Sequence, residues 1–288
     1  MTSTGERRPV VLGVDALAVN PTVVAWAADE ADRRGVPLRL VHAVPEERRG
    51  EGKRRHGSSS ESGGAALDQI VELVRGRVAG LKTVPVIADG SPARVLCRES
   101  TQAELLVLGS RGMSRLEEIL SGYSVTVPVS AQARCPVVVV RDPEPPADGR
   151  PWVVVGVDGS PSSVTAVQFA AEFAARRGAA LRAAWVWQVP LIVPFDEKVA
   201  VEELRRQLHV ATAGCVEQFP DLELEREVLR GHPVEELARV SEGALAVVVG
   251  RRGHGGFTGM RLGSVPHGLL HRAHCPVVTV PPPAEAES

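Results

Sequence analysis

Gly250 and Gly253, followed after nine residues by Gly263 and Ser264, have the types and spacing to hold an anion. Glycine lets a backbone approach phosphate oxygens with no Cβ in the way and reaches positive φ, so successive N–H groups can converge on one anion. Gly263-Ser264 opens an apolar-periodic stretch and so predicts a helix start. Its unpaired N–H groups and positive dipole end favour phosphate, with the Ser264 hydroxyl as a further donor. Arg251, Arg252 and His254 add charge to the same loop. Neither GxxxxGK(S/T) nor a GxGxxG after the first strand is present, so neither a P-loop NTPase nor a dinucleotide-binding Rossmann site is supported. The loop supplies no general base and no lysine for a leaving phosphate, which favours binding over turnover.

A plainer reading accompanies each of these residues. A lone glycine leaving a strand is a tight turn, and Asp158 ahead of a helix is a cap, a role compatible with ligand contact. Three glycines and a serine at fixed distances shift the weight toward a ligand loop. His267, His271 and His274 share helical spacing, yet only Cys275 accompanies them, so packing or solvation is favoured over a metal face. The Asp residues are lone rather than paired, which predicts no protein-bound catalytic metal. Cys97, Cys135, Cys215 and Cys275 form no CxxC pair and read as reduced, packed thiols. Trp185 and Trp187 alternate on one strand and read as core, with Trp185 bordering the candidate site.

The elements that position the loop occur twice. Val10-Val11-Leu12-Gly13-Val14-Asp15 returns as Val153-Val154-Val155-Gly156-Val157-Asp158 at an offset of 143, and 15 of 35 positions match through Val44 and Trp187. LLVLGSRG at 105–112 answers AVVVGRRG at 246–253, and Cys135-Pro136-Val137-Val138 answers Cys275-Pro276-Val277-Val278. Copies of roughly 140 residues indicate two similar domains rather than a solenoid. We place them at 1–141 and 152–288, joined by a Pro-rich, charged linker at 142–151. In each copy short Val/Leu runs alternate with helical stretches, the pattern of a five-stranded parallel sheet with helices on both faces. The runs are 10–14, 38–44, 84–88, 104–108 and 136–140, then 152–157, 181–187, 222–229, 245–249 and 276–280. Asn20-Pro21, Ser91-Pro92, Ser160-Pro161 and His232-Pro233 predict helix starts. Glu46–Gly64, charged and then Ser/Gly-rich, reads as a surface loop, whereas the second copy has the more apolar Val189–Phe195 there. Ligands of such sheets bind beyond the strands' carboxyl ends, where strand order reverses.

Composition excludes several classes. A net charge of −2 from 33 basic and 35 acidic residues lacks the basic face of a nucleic-acid binder, and 3% aromatics offer no base-stacking platform. No apolar run approaches the about 20 residues that cross a bilayer, and Met1–Pro9 leads into no signal-like core, so a cytoplasmic location is expected.

On these residues the chain resembles the universal stress proteins, in the ATP-binding branch whose loop is G-2x-G-9x-G-(S/T). The second copy fits at every position, and the likeness covers both copies through the VxVGVD starts, the glycine turns and the final CPVVxV strands. The resemblance implies two tandem Rossmann-like (adenine nucleotide alpha hydrolase-like) α/β domains and a cytoplasmic stress-response role. It implies that Asp158 orients ribose and triphosphate, that Val186 meets adenine through its backbone, and that Gly250, Gly253, Gly263 and Ser264 bind phosphates. Val157, Arg251, Arg252, His254 and Val265 complete the implied ATP site, with Mg2+ accompanying the phosphates. In the first copy Val14, Asp15, Ala43, Gly109, Ser110, Arg111, Gly112 and Gly122 take the corresponding places. That copy departs from the pattern at Ala16-Leu17, which replace Gly159-Ser160, and at Tyr123, which follows Gly122 and puts a phenol at the expected helix entrance.

Three functions remain open at this stage. The first is a nucleotide-dependent binding or regulatory module whose occupancy alters protein partner contacts; the second is a slow ATPase or nucleotidyl transferase; the third is a structural pair with both sites degenerate. Tighter binding is expected at the second copy. The Val-rich final strands are expected to pair antiparallel between the domains, with two chains forming a homodimer.

Overall fold

The computed structural model describes residues 7–45, 53–110, 125–141, 150–188, 196–254 and 261–283, with backbone alone over 53–61. It divides into two units, Met1–Asp142 and Pro143–Ser288. Among the described residues, unit one runs β1 (Val10–Val14), α1 (Pro21–Arg34), β2 (Leu38–Val44), α2 (Lys53–Arg77), β3 (Thr83–Asp89), α3 (Pro92–Glu99), β4 (Leu105–Gly109), α4 (Thr126–Gln132) and β5 (Val137–Val140). Unit two runs β6 (Trp152–Gly156), α5 (Pro161–Ala175), β7 (Ala180–Trp187), α6 (Glu197–Gln218), β8 (Leu224–Arg230), α7 (Pro233–Val240), β9 (Ala246–Gly250), α8 (Ser264–Arg272) and β10 (Val277–Val280).

Within unit one the strand order is β3-β2-β1-β4-β5, and within unit two β8-β7-β6-β9-β10, every pair parallel. The order reverses between β1 and β4 and between β6 and β9, which opens a crevice at the carboxyl ends of those strands. Strands covered on both faces read as continuous apolar runs. Val10, Val11, Leu105, Leu106, Val107, Val153, Val154 and Val155 are accordingly all fully buried. An added Cβ on Gly13 would meet Leu96 of α3, and one on Gly109 would meet Val23 of α1, so these two helices lie on opposite faces. Gly109 and Gly250 are the last residues of their strands rather than the first after them, since each continues the ladder opposite Val140 and Val280.

Helix starts follow capping chemistry. The Asn20 side chain accepts from the N–H of Thr22 at 2.9 Å, and Ser160 Oγ accepts from Ser163 N at 3.2 Å. α5 begins earlier in its repeat than α1: at the offset of 143, Pro21 matches Val164, while α5 already starts at Pro161. Three residues are nearly one turn, so unit one lacks the first turn that unit two has.

The Glu46–Gly64 loop is corrected in part. Residues 46–52 lie outside the described residues, but α2 is helical from Lys53. Its Ala66, Leu67, Ile70 and Val74 are buried at helical spacing and anchor it to the sheet. Gly63 is buried within it, where an added Cβ would stand 2.4 Å from His42 Cδ2. Gly63, which read as loop punctuation, instead allows close helix–sheet packing. The linker residues 142–149 and the counterpart segment 189–195 lie outside the described residues. Trp185 is buried as expected, whereas Trp187, at the strand end, is half-buried.

The two repeats solve one buried position differently. In α1, Glu30 is fully buried and accepts from Arg34 Nε at 2.5 Å, while Arg34 Nη1 reaches Glu104 Oε1 at 2.6 Å. In α5, Phe173 stands in the place of Glu30, and the Arg177 guanidinium carbon lies 3.5 Å above its ring centroid.

Candidate functional site

The crevice of unit two collects segments that are distant in sequence. Asp158, two residues beyond β6, is half-buried, and its Oδ1 accepts from Ser160 N at 3.0 Å. Its Oδ2 accepts from His254 N at 3.2 Å. One carboxylate thus ties the turn after β6 to the glycine loop after β9. That loop is also closed at its base, because Arg251 N donates to Val280 O at 2.7 Å and Gly263 N donates to Arg251 O at 2.9 Å. The second bond aims the start of α8 at the crevice.

The glycines have different physical reasons. An added Cβ on Gly253 would lie 2.2 Å from Asp158 Oδ2, and one on Gly250 would lie 2.7 Å from Ser162 Cβ and 2.8 Å from its backbone carbon. Folding alone therefore demands glycine at Gly250, where the clash is with backbone, whereas a Cβ on Gly253 would displace the Asp158 carboxylate that holds the loop. Gly263 is unlike them: its φ is −68°, which any residue adopts, and an added Cβ meets nothing among the described residues closer than 3.4 Å. Gly263 caps α8 without a side-chain hydrogen bond, and Pro266 has no N–H. The N–H groups of Ser264 and Val265 then remain without intrahelical acceptors, beside the Ser264 hydroxyl. A helix opening of this kind receives an anion.

The crevice encloses a cavity of about 230 Å3. Of the sequence-predicted residues, Val157, Asp158, Val186, Gly250, Arg252, Gly253, His254, Gly263, Ser264 and Val265 line it. Arg251 does not. Its backbone extends the pairing with β10, and its side chain is buried at 3% exposure rather than presented to the crevice. The remaining wall, including Gly156, Ser163, Ala184, Pro233 and Leu237, went unrecognised in the sequence. Pro233 and Leu237 carry the one local signal, an i, i+4 pair on the amphipathic α7. Trp185 is absent from the lining and stands behind it, its Cη2 2.9 Å from where a Cβ would sit on Gly159. Gly159 has φ +78°, so the Asp158 turn requires glycine there.

Unit one has a cavity of about 490 Å3 at the same place. Val14, Asp15, Ala43, Gly109 and Ser110 line it, while Arg111, Gly112 and Gly122 lie outside the described residues. The helix before β5 begins at Thr126, with Val125 in the capping position, rather than directly after Gly122. A threonine therefore opens that helix, and Tyr123 lies outside the described residues. Asp15 Oδ1 accepts from Leu17 N at 3.1 Å. Among the described residues no group of three or more His, Cys, Asp or Glu is placed to hold a metal, and His267 and His271 meet edge to face at 4.9 Å.

The universal stress protein family model matches residues 6–141 and 152–281. A universal stress protein of Mycolicibacterium smegmatis is 34% identical over 295 residues, covering 98% of this chain and all of that protein. One of Mycobacterium tuberculosis is 32% identical over 291 residues, covering 96% of this chain and 98% of the relative. A crystal structure of a universal stress protein from Archaeoglobus fulgidus superposes with a TM-score of 0.75 at 20% identity, covering 96% of this chain and 97% of that one; it shows the shared fold.

Proposed function

Because the chain belongs to the universal stress protein family, with two copies of the family domain, we propose that it binds an adenine nucleotide, ATP, in unit two and uses occupancy to alter protein contacts. The observation that carries this reading is Gly263. It is a glycine that the described fold does not require, at an uncapped helix start beside a hydroxyl and a loop held open by Asp158. Removing a Cβ there serves a group that comes from outside the chain. The cavity, about 230 Å3, is smaller than the roughly 300 Å3 at the low end of small-molecule sites, which suits base and sugar inside with phosphates over the helix opening. Val157, Ala184, Val186 and Leu237 supply apolar walls for a base. Arg252 and His254 add positive charge to the phosphate side, and Mg2+ accompanies the phosphates through their oxygens. Arg251, turned into the protein, is left out of this role.

Binding rather than turnover is favoured because the described lining holds a single carboxylate, Asp158, and both its oxygens already accept backbone N–H groups. Such a group is a positioning residue rather than a free general base. The protein acts in the cytoplasm as a homodimer in this reading; among the described residues, no helix is long and apolar enough to cross a membrane. Denaturing the purified protein and identifying released nucleotide by chromatography tests it, together with titration calorimetry on wild type and Asp158→Asn. Tight ATP binding lost in Asp158→Asn supports the reading. ATP hydrolysis at about 1 per second or faster, abolished by the same substitution, would replace it with an enzyme.

A further inference from the structure

One polar group on the α5 side of the unit-two cavity takes no part in holding an anion. Ser163, the third residue of α5, lines the cavity and is 3% exposed. Its Oγ lies 2.9 Å from Ser160 O, and because a carbonyl oxygen can only accept, the hydroxyl proton is committed there. Ser160 Oγ in turn accepts from Ser163 N at 3.2 Å and donates to Arg252 O at 3.4 Å, which fixes this first turn against the glycine loop. What the Ser163 hydroxyl retains for a ligand is its lone pairs. It is an acceptor.

Asp158 is an acceptor as well, and it joins Ser163 through Ser160, whose N–H donates to Asp158 Oδ1 at 3.0 Å. The α8 side has the reverse character, since the N–H groups of Ser264 and Val265 and the Ser264 hydroxyl are donors. The cavity is therefore polarised. Phosphate oxygens, which only accept, belong at α8, and a group that donates belongs at Ser163. The base is not that group. An added Cβ on Gly250 would meet Ser162 of α5 and one on Gly156 would meet Leu237 of α7, so α5 and α7 lie on opposite faces of the sheet. An adenine against Leu237 thus carries its exocyclic amine away from Ser163, and the donors left between base and phosphates are the ribose hydroxyls. Taking unit two as a nucleotide site, we infer that Ser163 Oγ, together with Asp158, accepts from a ribose hydroxyl and makes the site select ribonucleotides over deoxyribonucleotides. The third residue of α1 is Val23, so unit one has no acceptor side chain at the same place in its helix.

The test is titration calorimetry on the full-length protein with ATP, 2′-deoxy-ATP and 3′-deoxy-ATP, for wild type and Ser163→Ala. A ligand without the hydroxyl leaves a buried acceptor unpaired, so wild type should bind at least one deoxy analogue about tenfold more weakly than ATP. The matching amino-substituted analogue restores a donor and should bind within about threefold of ATP. In Ser163→Ala the penalty for the deoxy analogue should shrink to about threefold or less, chiefly through weaker ATP binding. A purely structural role for Ser163 would weaken every nucleotide alike and leave the ratio unchanged. Melting curves check that Ser163→Ala is folded; if it is not, the wild-type comparison of hydroxyl, deoxy and amino ligands decides alone. Equal wild-type affinity for ATP and both deoxy analogues, or an unchanged ratio in folded Ser163→Ala, would overturn the inference and leave nucleotide binding standing. No nucleotide binding by wild type would overturn that reading of unit two, and the role of Ser163 with it.

Discussion

Asp158 and the glycines around it divide the work between folding and binding, and substitutions should separate the two. Gly250→Ala pushes a methyl into the backbone of Ser162, and overpacking of this kind costs about 1–3 kcal/mol. Its thermal midpoint should fall. Gly263→Ser meets no close neighbour among the described residues and supplies a better cap than glycine, so the midpoint should hold or rise while ATP affinity drops. Melting curves and calorimetry on the same two samples decide it; equal stability losses would remove the special status of Gly263. A second residue-scale outcome concerns Cys135. Burial pushes its thiol up to about 12 from an ordinary 9.0. At pH 8 the folded protein should then carry about a thousandfold less thiolate at Cys135 than the unfolded chain, and its alkylation should require unfolding. The native state holds this proton more tightly than the unfolded one. The associated stability is therefore complete below pH 9 and declines as pH rises from there toward 12. Alkylation followed by peptide mapping, in native buffer and in urea, reads it directly.

Paired elements of the two repeats allow a comparison inside one molecule. α1 buries an Arg34–Glu30 ion pair extended by Glu104, where α5 stacks Arg177 on Phe173 and the position of Glu104 is Leu245. Burial alone would lower the Arg34 pKa, but Glu30 and Glu104 outweigh it and hold the guanidinium charge. Glu30→Ala leaves the buried Arg34 with Glu104 as its acid, so it should destabilise unit one, by less than the about 3–5 kcal/mol of a fully stranded buried charge. Transplanting the other repeat's solution, Glu30→Phe with Glu104→Leu, should recover most of that loss, because the cation–π contact replaces the pair. Amide exchange followed by mass spectrometry, on peptides covering β1 and α1, localises the effect to unit one. Equal acceleration in both variants would show that the ion pair has no exchangeable substitute.

At the scale of the whole chain, duplication has produced two crevices at equivalent switch points with different walls. Unit two has glycine at the α8 cap, whereas unit one has Val125 at the α4 cap. A charge-assisted hydrogen bond contributes roughly 1.5–3 kcal/mol, so the loss of one anion donor weakens binding by about tenfold or more. Calorimetry with ATP should find one tight site per chain. Gly263→Asp with Ser264→Ala should remove it and Gly122→Asp should leave it; two equal sites in wild type would contradict the division.

Much of this organisation was legible in the amino-acid order. The repeat, the parallel α/β class, the proline-led helix starts and the 250–264 loop all depend on local periodicity or spacing, which a linear chain displays directly. The charged and Ser/Gly-rich stretch from Lys53 was misread because its helicity comes from packing: Gly63 is there to clear His42, a contact between segments 21 residues apart. Arg251 and Arg252 are neighbours in sequence, and only the continuation of the ladder onto Val280 sends one inward and leaves the other at the crevice. Residue types and their spacing determined which elements form and where an anion could be held. The tertiary structure decided which glycines are required for close approach, which charges face the site and how far each cavity extends, because those depend on distances between segments that spacing along the chain does not encode.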